Sequence, residues 1–252
     1  MLVLITGASA GFGAEIARRY VAEGHRVILT GRRADRLQAL AGSLAPQAQV
    51  AAFDLRDAEA VATLPQRLPE GWREIDVLVN NAGLALGLEP APRADLEDWE
   101  RMVDTNIKGL MRMTRAFLPG MVARGRGHVI NIGSTAGEWP YPGANVYGAS
   151  KAFVRQFSLN LRADLYPTPI RVTNIEPGLA GGTEFSNVRF HGDDAKAASV
   201  YADTEPLSAA DVAEAVYWVS ALPAHVNVNT LSLTPVAQGF GPVAVHRHPP
   251  PA

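Results

Sequence analysis

Short apolar runs recur along the chain with room for a helix between most of them. Leu2-Val3-Leu4-Ile5 is the first, and others stand at 27–30, 50–53, 77–80, 128–132, 172–175 and 231–233. Runs that are apolar on both faces predict strands of a parallel sheet covered on both sides. Between them, apolar residues return with a period near 3.6 at 14–23, 33–44 and 99–122, which predicts helices. Right-handed crossovers turn this alternation into an α/β single-domain Rossmann fold: a doubly wound, seven-stranded parallel sheet with helices on both faces. No internal repeat or linker divides residues 1–245, which read as one dinucleotide-binding and catalytic domain. The stretch 178–204 has no clear strand and carries Gly181, Gly182, Gly192, Asp193 and Asp194. It reads as an excursion outside the sheet, a substrate lid. Residues 246–252 read as a flexible, proline-rich tail.

Composition narrows the function classes. Of the 252 residues, 47% are hydrophobic, enough for a sizeable core. A formal net charge of -2 and the lack of a basic block argue against nucleic acid as partner. With no cysteine, disulfides, thiolate metal sites and cysteine nucleophiles are excluded. The histidines show no metal spacing, so no metal is expected. No apolar run approaches the roughly 20 residues that span a bilayer. The N-terminus opens on Met1-Leu2-Val3 without a signal-type segment, and a soluble cytoplasmic protein is the expectation. Trp99, Trp139 and Trp218 read as packing residues.

The candidate chemistry begins where the first strand runs into Thr6-Gly7-Ala8-Ser9-Ala10-Gly11-Phe12-Gly13 and a helix pattern follows. Glycines there permit a tight turn, a close approach of phosphate and close packing of helix on strand. The free N–H groups and dipole of the helix N-terminus suit a pyrophosphate. The second strand ends Thr30-Gly31-Arg32-Arg33, with no carboxylate to hold a ribose 2′-hydroxyl and two guanidinium groups suited to a 2′-phosphate. That favours NADP over NAD, although Arg33 also reads as a solvated first-turn helix residue. Asp54, after the third strand, is placed to accept from an adenine amino group or to serve as a turn or cap.

Tyr147-Gly148-Ala149-Ser150-Lys151 sets Tyr and Lys four apart, on one face of a helix. A free tyrosine, with a pKa of about 10, is a poor base. A neighbouring ammonium together with a cationic nicotinamide would lower it. Ser134 lies just past the strand at 128–132, at the carboxyl end where doubly wound sheets place ligands. Its hydroxyl can hold a substrate oxygen beside the tyrosine. Asn80-Asn81-Ala82-Gly83 ends the fourth strand likewise; its small residues admit a cofactor and its amides can secure neighbouring strands. Asn106 interrupts the apolar helix 99–122, where asparagine is unfavourable; a buried polar role and a solvent-facing position are both open from spacing alone.

Taken in order and spacing, Thr6-Gly7 through Gly13, Asn80 to Gly83, Asn106, Ser134, Tyr147, Lys151 and Pro177-Gly178 resemble the short-chain dehydrogenase/reductase family. The resemblance implies a tetrad: Tyr147 as general acid/base, Ser134 orienting the substrate oxygen, Lys151 binding the nicotinamide ribose and tuning Tyr147, and Asn106 holding a water of a proton relay. It implies NADP as cofactor, held by Thr6, Gly7, Ser9, Ala10, Gly11, Phe12, Gly13, Arg32, Arg33, Asp54, Leu55, Asn81, Ala82, Gly83, Tyr147, Lys151, Pro177, Gly178, Thr183 and Phe185. It also implies a homotetramer built from the helices holding Asn106 and Tyr147, the first with an apolar surface including Trp99, Met102, Val103, Ile107, Leu110 and Met113.

A narrower resemblance rests on longer stretches: Asn81-Ala82-Gly83-Leu84-Ala85-Leu86-Gly87, Gly133-Ser134-Thr135-Ala136-Gly137 with Trp139-Pro140-Tyr141, Glu176-Pro177-Gly178-Leu179-Ala180-Gly181-Gly182-Thr183-Glu184-Phe185-Ser186-Asn187-Val188-Arg189-Phe190, and Leu222-Pro223-Ala224-His225-Val226-Asn227. These are similar to bacterial NADP-dependent 3-hydroxy acid dehydrogenases, also described as serine or L-allo-threonine 3-dehydrogenases and malonic semialdehyde reductases. The implied substrate is a small 3-hydroxy or 3-oxo acid. Two other readings compete: a reductase of another carbonyl, such as a ketoacyl thioester or a pathway aldehyde, and a non-catalytic NADP sensor. A sensor should have lost a tetrad member, and none is missing. The substrate's carboxylate needs a cation, and Arg189 is the only arginine near the expected lid; it would either read that charge or pair with Asp193 or Asp194 at the surface.

Overall fold

The computed structural model describes residues 1–240, so the expected tail lies outside the described residues. Seven parallel strands form one sheet in the order β3-β2-β1-β4-β5-β6-β7. They are β1 (Leu2–Ile5), β2 (Arg26–Gly31), β3 (Ala48–Ala52), β4 (Val77–Asn80), β5 (Gly127–Ile132), β6 (Ile170–Pro177) and β7 (Thr230–Leu233). The order reverses between β1 and β4, which are paired, so the crevice for a ligand opens at their carboxyl ends.

Alternate residues of each strand serve two cores. Val3, Ile5, Val27, Leu29, Val77 and Val79 face α1 (Gly11–Ala22), α2 (Ala34–Ser43) and α10 (Ala209–Ala221). Leu2, Leu4, Ile28, Leu78, Val129 and Val172 face α3 (Ala58–Ala62), α4 (Leu64–Arg67) and α6 (Leu110–Arg124). In the five inner strands most residues on both faces are buried, which is why their runs are largely apolar, while the edge strands β3 and β7 are only partly buried; each buried apolar side chain contributes about 1.5–3 kcal/mol.

Three local expectations shift. The third strand starts two residues earlier than its apolar run, because the register against β2, Val27 with Ala48 and Ile28 with Gln49, is set by the backbone and not by side-chain polarity. The single helix expected at 99–122 is three segments: α5 (Leu96–Met102), a π-helical stretch Val103–Gly109, and α6. Trp139 and Trp218 are 47% and 49% exposed, so of the three tryptophans expected to pack only Trp99 lies against a core cluster. Residues 178–204 leave the sheet as expected and carry the short helices α8 (Phe185–Arg189) and α9 (Asp194–Ser199). The remaining helix, α7 (Asn145–Asp164), packs beside β6 and brings the Tyr-x-x-x-Lys pair to the carboxyl end of the sheet.

His128 on β5 is buried, with Nε2 2.8 Å from Thr173 Oγ1 and Nδ1 without a partner among the described residues. Burial, with Arg171 as a lesser cause, holds its pKa well below the ordinary value. The folded chain therefore keeps this imidazole neutral, while the unfolded chain protonates it below about pH 6.5. Its contribution to stability is complete above that pH and is lost as pH falls, by up to about 1.4 kcal/mol per pH unit. His128→Gln can keep the bond to Thr173; its melting temperature should fall less than that of the unsubstituted protein between about pH 7.5 and about pH 5.5. Parallel losses would show that His128 does not carry the acid sensitivity.

Candidate active site

The turn after β1 is shaped by backbone proximity. Gly7 and Gly11 have φ of +68° and +53°, the left-handed region that favours glycine. Gly13 needs its hydrogen for a different reason: a Cβ there would stand 2.7 Å from Asn81 Nδ2 and 2.9 Å from Ala8 Cα. The turn is tied to the end of β4 by side chains. Thr6 Oγ1 accepts from the N–H groups of Asn81 and Ala82 at 3.0 and 2.9 Å. Asn81 Nδ2 donates back to the Thr6 carbonyl at 2.9 Å. Deeper in, Asn80 Nδ2 donates to Asn131 Oδ1 on β5 and to Thr114 on α6, as expected of amides securing neighbouring strands. Ala10, the residue before α1, makes no side-chain cap, so the first N–H groups of α1 are left for a ligand. Phe12 packs against the core, and Leu55 fills the space that a side chain at Gly109 would take. These features fit a dinucleotide's pyrophosphate: a cradle too tight for any Cβ, ending in uncapped N–H donors.

A groove of about 430 Å³ lined by Ser9, Ala10, Gly11, Arg36, Gly182 and others continues from this turn between α1, α2 and the lid. A larger depression of about 620 Å³, lined by Met1, Arg26, Arg73, Asp76 and Arg126, sits at the amino ends of the strands. Size does not decide here. The second depression is at the end of the sheet away from Tyr147, where doubly wound sheets do not bind ligands.

At the end of β2, Arg32 is exposed and has no ion pair among the described residues. Arg33 caps α2 instead of lying in its first turn, and its guanidinium is spread over Ser9 Oγ, at 3.1 and 2.9 Å, and Glu184 Oε2, at 2.7 Å. Nothing in the sequence pointed to Glu184, which lies 151 residues away. Asp54 is held by Arg56, side chain to side chain at 2.7 Å and through the Arg56 N–H at 2.9 Å, and these lower its pKa. The turn role is the one its hydrogen bonds fill.

The tetrad residues converge. Tyr147 and Lys151 lie on the buried face of α7, with Lys151 Nζ 5.8 Å from the Tyr147 ring centre. Lys151 Nζ donates to the Ile132 carbonyl at 2.8 Å. A Cβ on Gly83 would stand 3.3 Å from Asn106 Oδ1 and 3.5 Å from Lys151 Nζ, so Gly83 lets these two approach. Ser134 Oγ donates to the Pro177 carbonyl at 3.4 Å and accepts from the Ala136 N–H at 3.1 Å. Gly178, just beyond, donates to Leu233 and lies against the Gln238 side chain.

Asn106 is buried in the middle of the π-helical stretch, which settles its alternatives in favour of a buried polar role. Both ends of its amide are engaged. Oδ1 accepts from the Leu84 N–H at 2.9 Å, and Nδ2 donates to the Leu84 carbonyl at 2.8 Å and to Ser150 Oγ at 3.0 Å. It pins the loop after β4 to α7, three residues past Tyr147.

Burial moves both ionisable groups of the pair towards their neutral forms. Burial raises the Tyr147 pKa to about 12, and the Ser134 hydroxyl opposes this without cancelling it. Burial also lowers Lys151 to about 8. Desolvation is the largest cause for each group, and the charge that lowers Tyr147 comes from Arg189, not from Lys151.

The segment 178–204 reaches both ends of this crevice. Thr183 lies against Gly11, 3.2 Å from where its Cβ would be. Phe185 sets its ring edge-on to Tyr147 at 5.7 Å between centres. Arg189 places its guanidinium carbon 5.6 Å from the Tyr147 ring centre and donates to Tyr141 Oη at 2.9 Å and to the Gly87 carbonyl at 3.3 Å. It does not pair with Asp193 or Asp194: the first holds Lys196 and the second Asn187.

Comparison with known proteins agrees with this geometry. The chain is 64% identical over 247 residues to the NADP-dependent 3-hydroxy acid dehydrogenase YdfG of Salmonella typhi, covering 98% of this chain and 100% of that one. It is 52% identical to sulfoacetaldehyde reductase 2 of Chromohalobacter salexigens, with 98% of both chains covered. A solved structure of the closed form of serine dehydrogenase complexed with NADP+ superimposes with a TM-score of 0.97 at 62% identity, over 98% of this chain and 100% of that one. The family model for short chain dehydrogenase matches residues 1–193, which hold the glycine turn, Asn106, Ser134, Tyr147 and Lys151. With fold, order of motifs and geometry in agreement, the chain belongs to the short chain dehydrogenase family.

Proposed function

We propose that this protein is an oxidoreductase that uses NADP(H) to interconvert a small 3-hydroxy acid and its 3-oxo acid. The observation that carries the substrate class is Arg189, a cation that the lid holds beside Tyr147. The substrates in the names of the relatives, a 3-hydroxy acid, serine and sulfoacetaldehyde, all bear an anionic end a few bonds from the reacting carbon. A guanidinium forks onto such an oxyanion through two charge-assisted hydrogen bonds. Arg32, Arg33 and Ser9 are the groups that would read the 2′-phosphate.

NADP, when bound, supplies the hydride acceptor and, in its oxidised form, a positive charge. The rest is the work of the chain. Tyr147 accepts the hydroxyl proton as the carbon is oxidised and returns it in the reverse direction. Ser134 holds the reacting oxygen in hydrogen-bond reach. Lys151 adds charge beside the phenol. Asn106 gives both side-chain N–H groups to Leu84 and Ser150, so a relay water there would be held by main-chain groups of the widened helix or by the second acceptor site of its Oδ1, and π-helical widening is frequent at functional sites. No helix among the described residues is long and apolar enough to cross a membrane, and the cytoplasm, where NADP(H) is plentiful, is the proposed location.

The quaternary proposal is a homotetramer through α6 and α7. Met102, Leu110 and Met113, expected on the contact surface, are buried within the monomer, because they cover the sheet and the active-site cluster. What remains outside is Met111, Val122 and Leu159, 42%, 38% and 36% exposed, with Phe153 stacked on Phe157. Light scattering at micromolar concentration should give four times the chain mass; a monomer would contradict the proposal.

Tyr147→Phe should bind NADPH normally, because the ring still packs, yet lose at least about a hundredfold in kcat. Near-normal turnover would remove Tyr147 from the proton step.

The substrate class is tested by kcat/KM for malonic semialdehyde, 3-hydroxy acids, serine, L-allo-threonine and a ketoacyl thioester, with NADPH or NADP. The small acids should lead. Arg189→Met should cost them at least about tenfold, equivalent to about 1.4 kcal/mol. The alcohol lacking only the carboxylate should lose much less. An equal loss on both would make Arg189 a shaper of the lid and place the acid-binding group elsewhere.

A further inference from the structure

The corner that reads the 2′-phosphate already contains an anion. Arg33 gives two of its donors to Ser9 Oγ and the third, Nη1, to Glu184 Oε2 at 2.7 Å. The other Glu184 oxygen takes Arg36 Nη1 at 2.5 Å. Both arginines belong to the start of α2, while Glu184 belongs to the lid, between Thr183 on the glycine turn and Phe185 against Tyr147. The three side chains are 41%, 47% and 44% exposed, a setting in which ion pairs contribute little to stability. Electrostatics gives the arrangement another consequence. A phosphate entering beside Ser9 meets an Arg33 each of whose three nitrogens already has an acceptor, and it meets the carboxylate itself at short range.

We infer that Glu184 is a specificity-determining residue: an internal counter-ion, carried by the lid, that competes with the 2′-phosphate for Arg33 and so moderates the preference for NADP(H). The inference rests on the proposal that Arg33 reads that phosphate. NADH has no 2′-phosphate and leaves the Glu184 contacts undisturbed, so only the phosphorylated cofactor feels the competition. Removal of the charge should therefore strengthen one cofactor and not the other. Loss of folding cannot produce that result.

The test is fluorescence titration of NADPH and NADH at low ionic strength, where exposed charges are least screened. Glu184→Gln keeps the size of the side chain and removes its charge. Its Kd for NADPH should fall at least about threefold while that for NADH changes less than about twofold; Glu184→Asp should stay near the parent protein; the added affinity for NADPH should fade as salt rises. Arg33→Ala separates the two levels. If it abolishes the preference for NADPH while Glu184→Gln leaves NADPH binding unchanged or weaker, the role of Glu184 is overturned and Arg33 still reads the phosphate. If the preference survives Arg33→Ala, the reading of Arg33 itself fails, and the inference with it.

Discussion

The close approach of two backbone segments, the turn after β1 and the loop after β4, governs the arrangement of this protein. They meet at the point where the strand order reverses, and the contact is too close for side chains: a Cβ on Gly7 would stand 2.9 Å from the Ala82 Cα. Thr6 and Asn81 hold the segments together by exchanging hydrogen bonds, which engage the Thr6 hydroxyl and the Asn81 side-chain N–H groups. The crevice is thus lined by main-chain N–H groups, which cannot swing away or lose charge. Everything further along the site is referenced to this contact. The loop after β4 continues to Gly83, against which Asn106 and Lys151 sit, and to Leu84, which Asn106 clasps from both sides.

Dryness has an electrostatic consequence. Tyr147 and Lys151 are both buried, and burial moves each towards its neutral form, to about 12 and about 8 respectively. A phenol at that value is a poor base, and an amine at that value still holds its proton at neutral pH. Deprotonation of the tyrosine then depends on positive charge delivered to the site. An oxidised nicotinamide would bring such a charge and a reduced one would not, so a tyrosine with the proposed role would more readily be unprotonated when a hydroxyl is to be oxidised and protonated when a carbonyl is to be reduced. The same poorly solvated site serves both directions.

What could be read from the chain follows physical range. The sheet was legible because the inner strands are buried on both faces and so read as apolar runs, and the glycine turn because Gly7, Gly11 and Gly13 stand where a strand gives way to a helix. The Tyr147 and Lys151 pair was legible because helix periodicity fixes their common face. Asn106 stood out as a polar residue in an apolar helix, yet its partners did not, because Leu84 contributes backbone and Ser150 an ordinary hydroxyl. The π-helical widening around it left no trace in the periodicity of 99–122. Least legible was the contact of Glu184 with Arg33 and Arg36, since an ion pair between residues about 150 apart has no local pattern. Arg189 was legible only as the one arginine in its segment; the fold decided between Tyr141 and the nearby aspartates.

The lid differs from the rest in what holds it. Among residues 182–204 only Ser186 and Ala197 are buried, so little apolar area is lost when this segment lifts. Apart from Phe185 against Tyr147, its fastenings to the rest are largely polar and spread along its length: Glu184 to Arg33 and Arg36, Arg189 to Gly87 and Tyr141, and His191 to Asp98 at 3.0 Å. Polar contacts of this kind exchange for water at little net cost, whereas the core strands cannot open without exposing continuous apolar surface. A segment so fastened can admit and release a small polar molecule without disturbing the sheet. Its two ends also answer to different charges, one at the arginines of α2 and one beside Tyr147, so a ligand at either end acts on the same short stretch of chain.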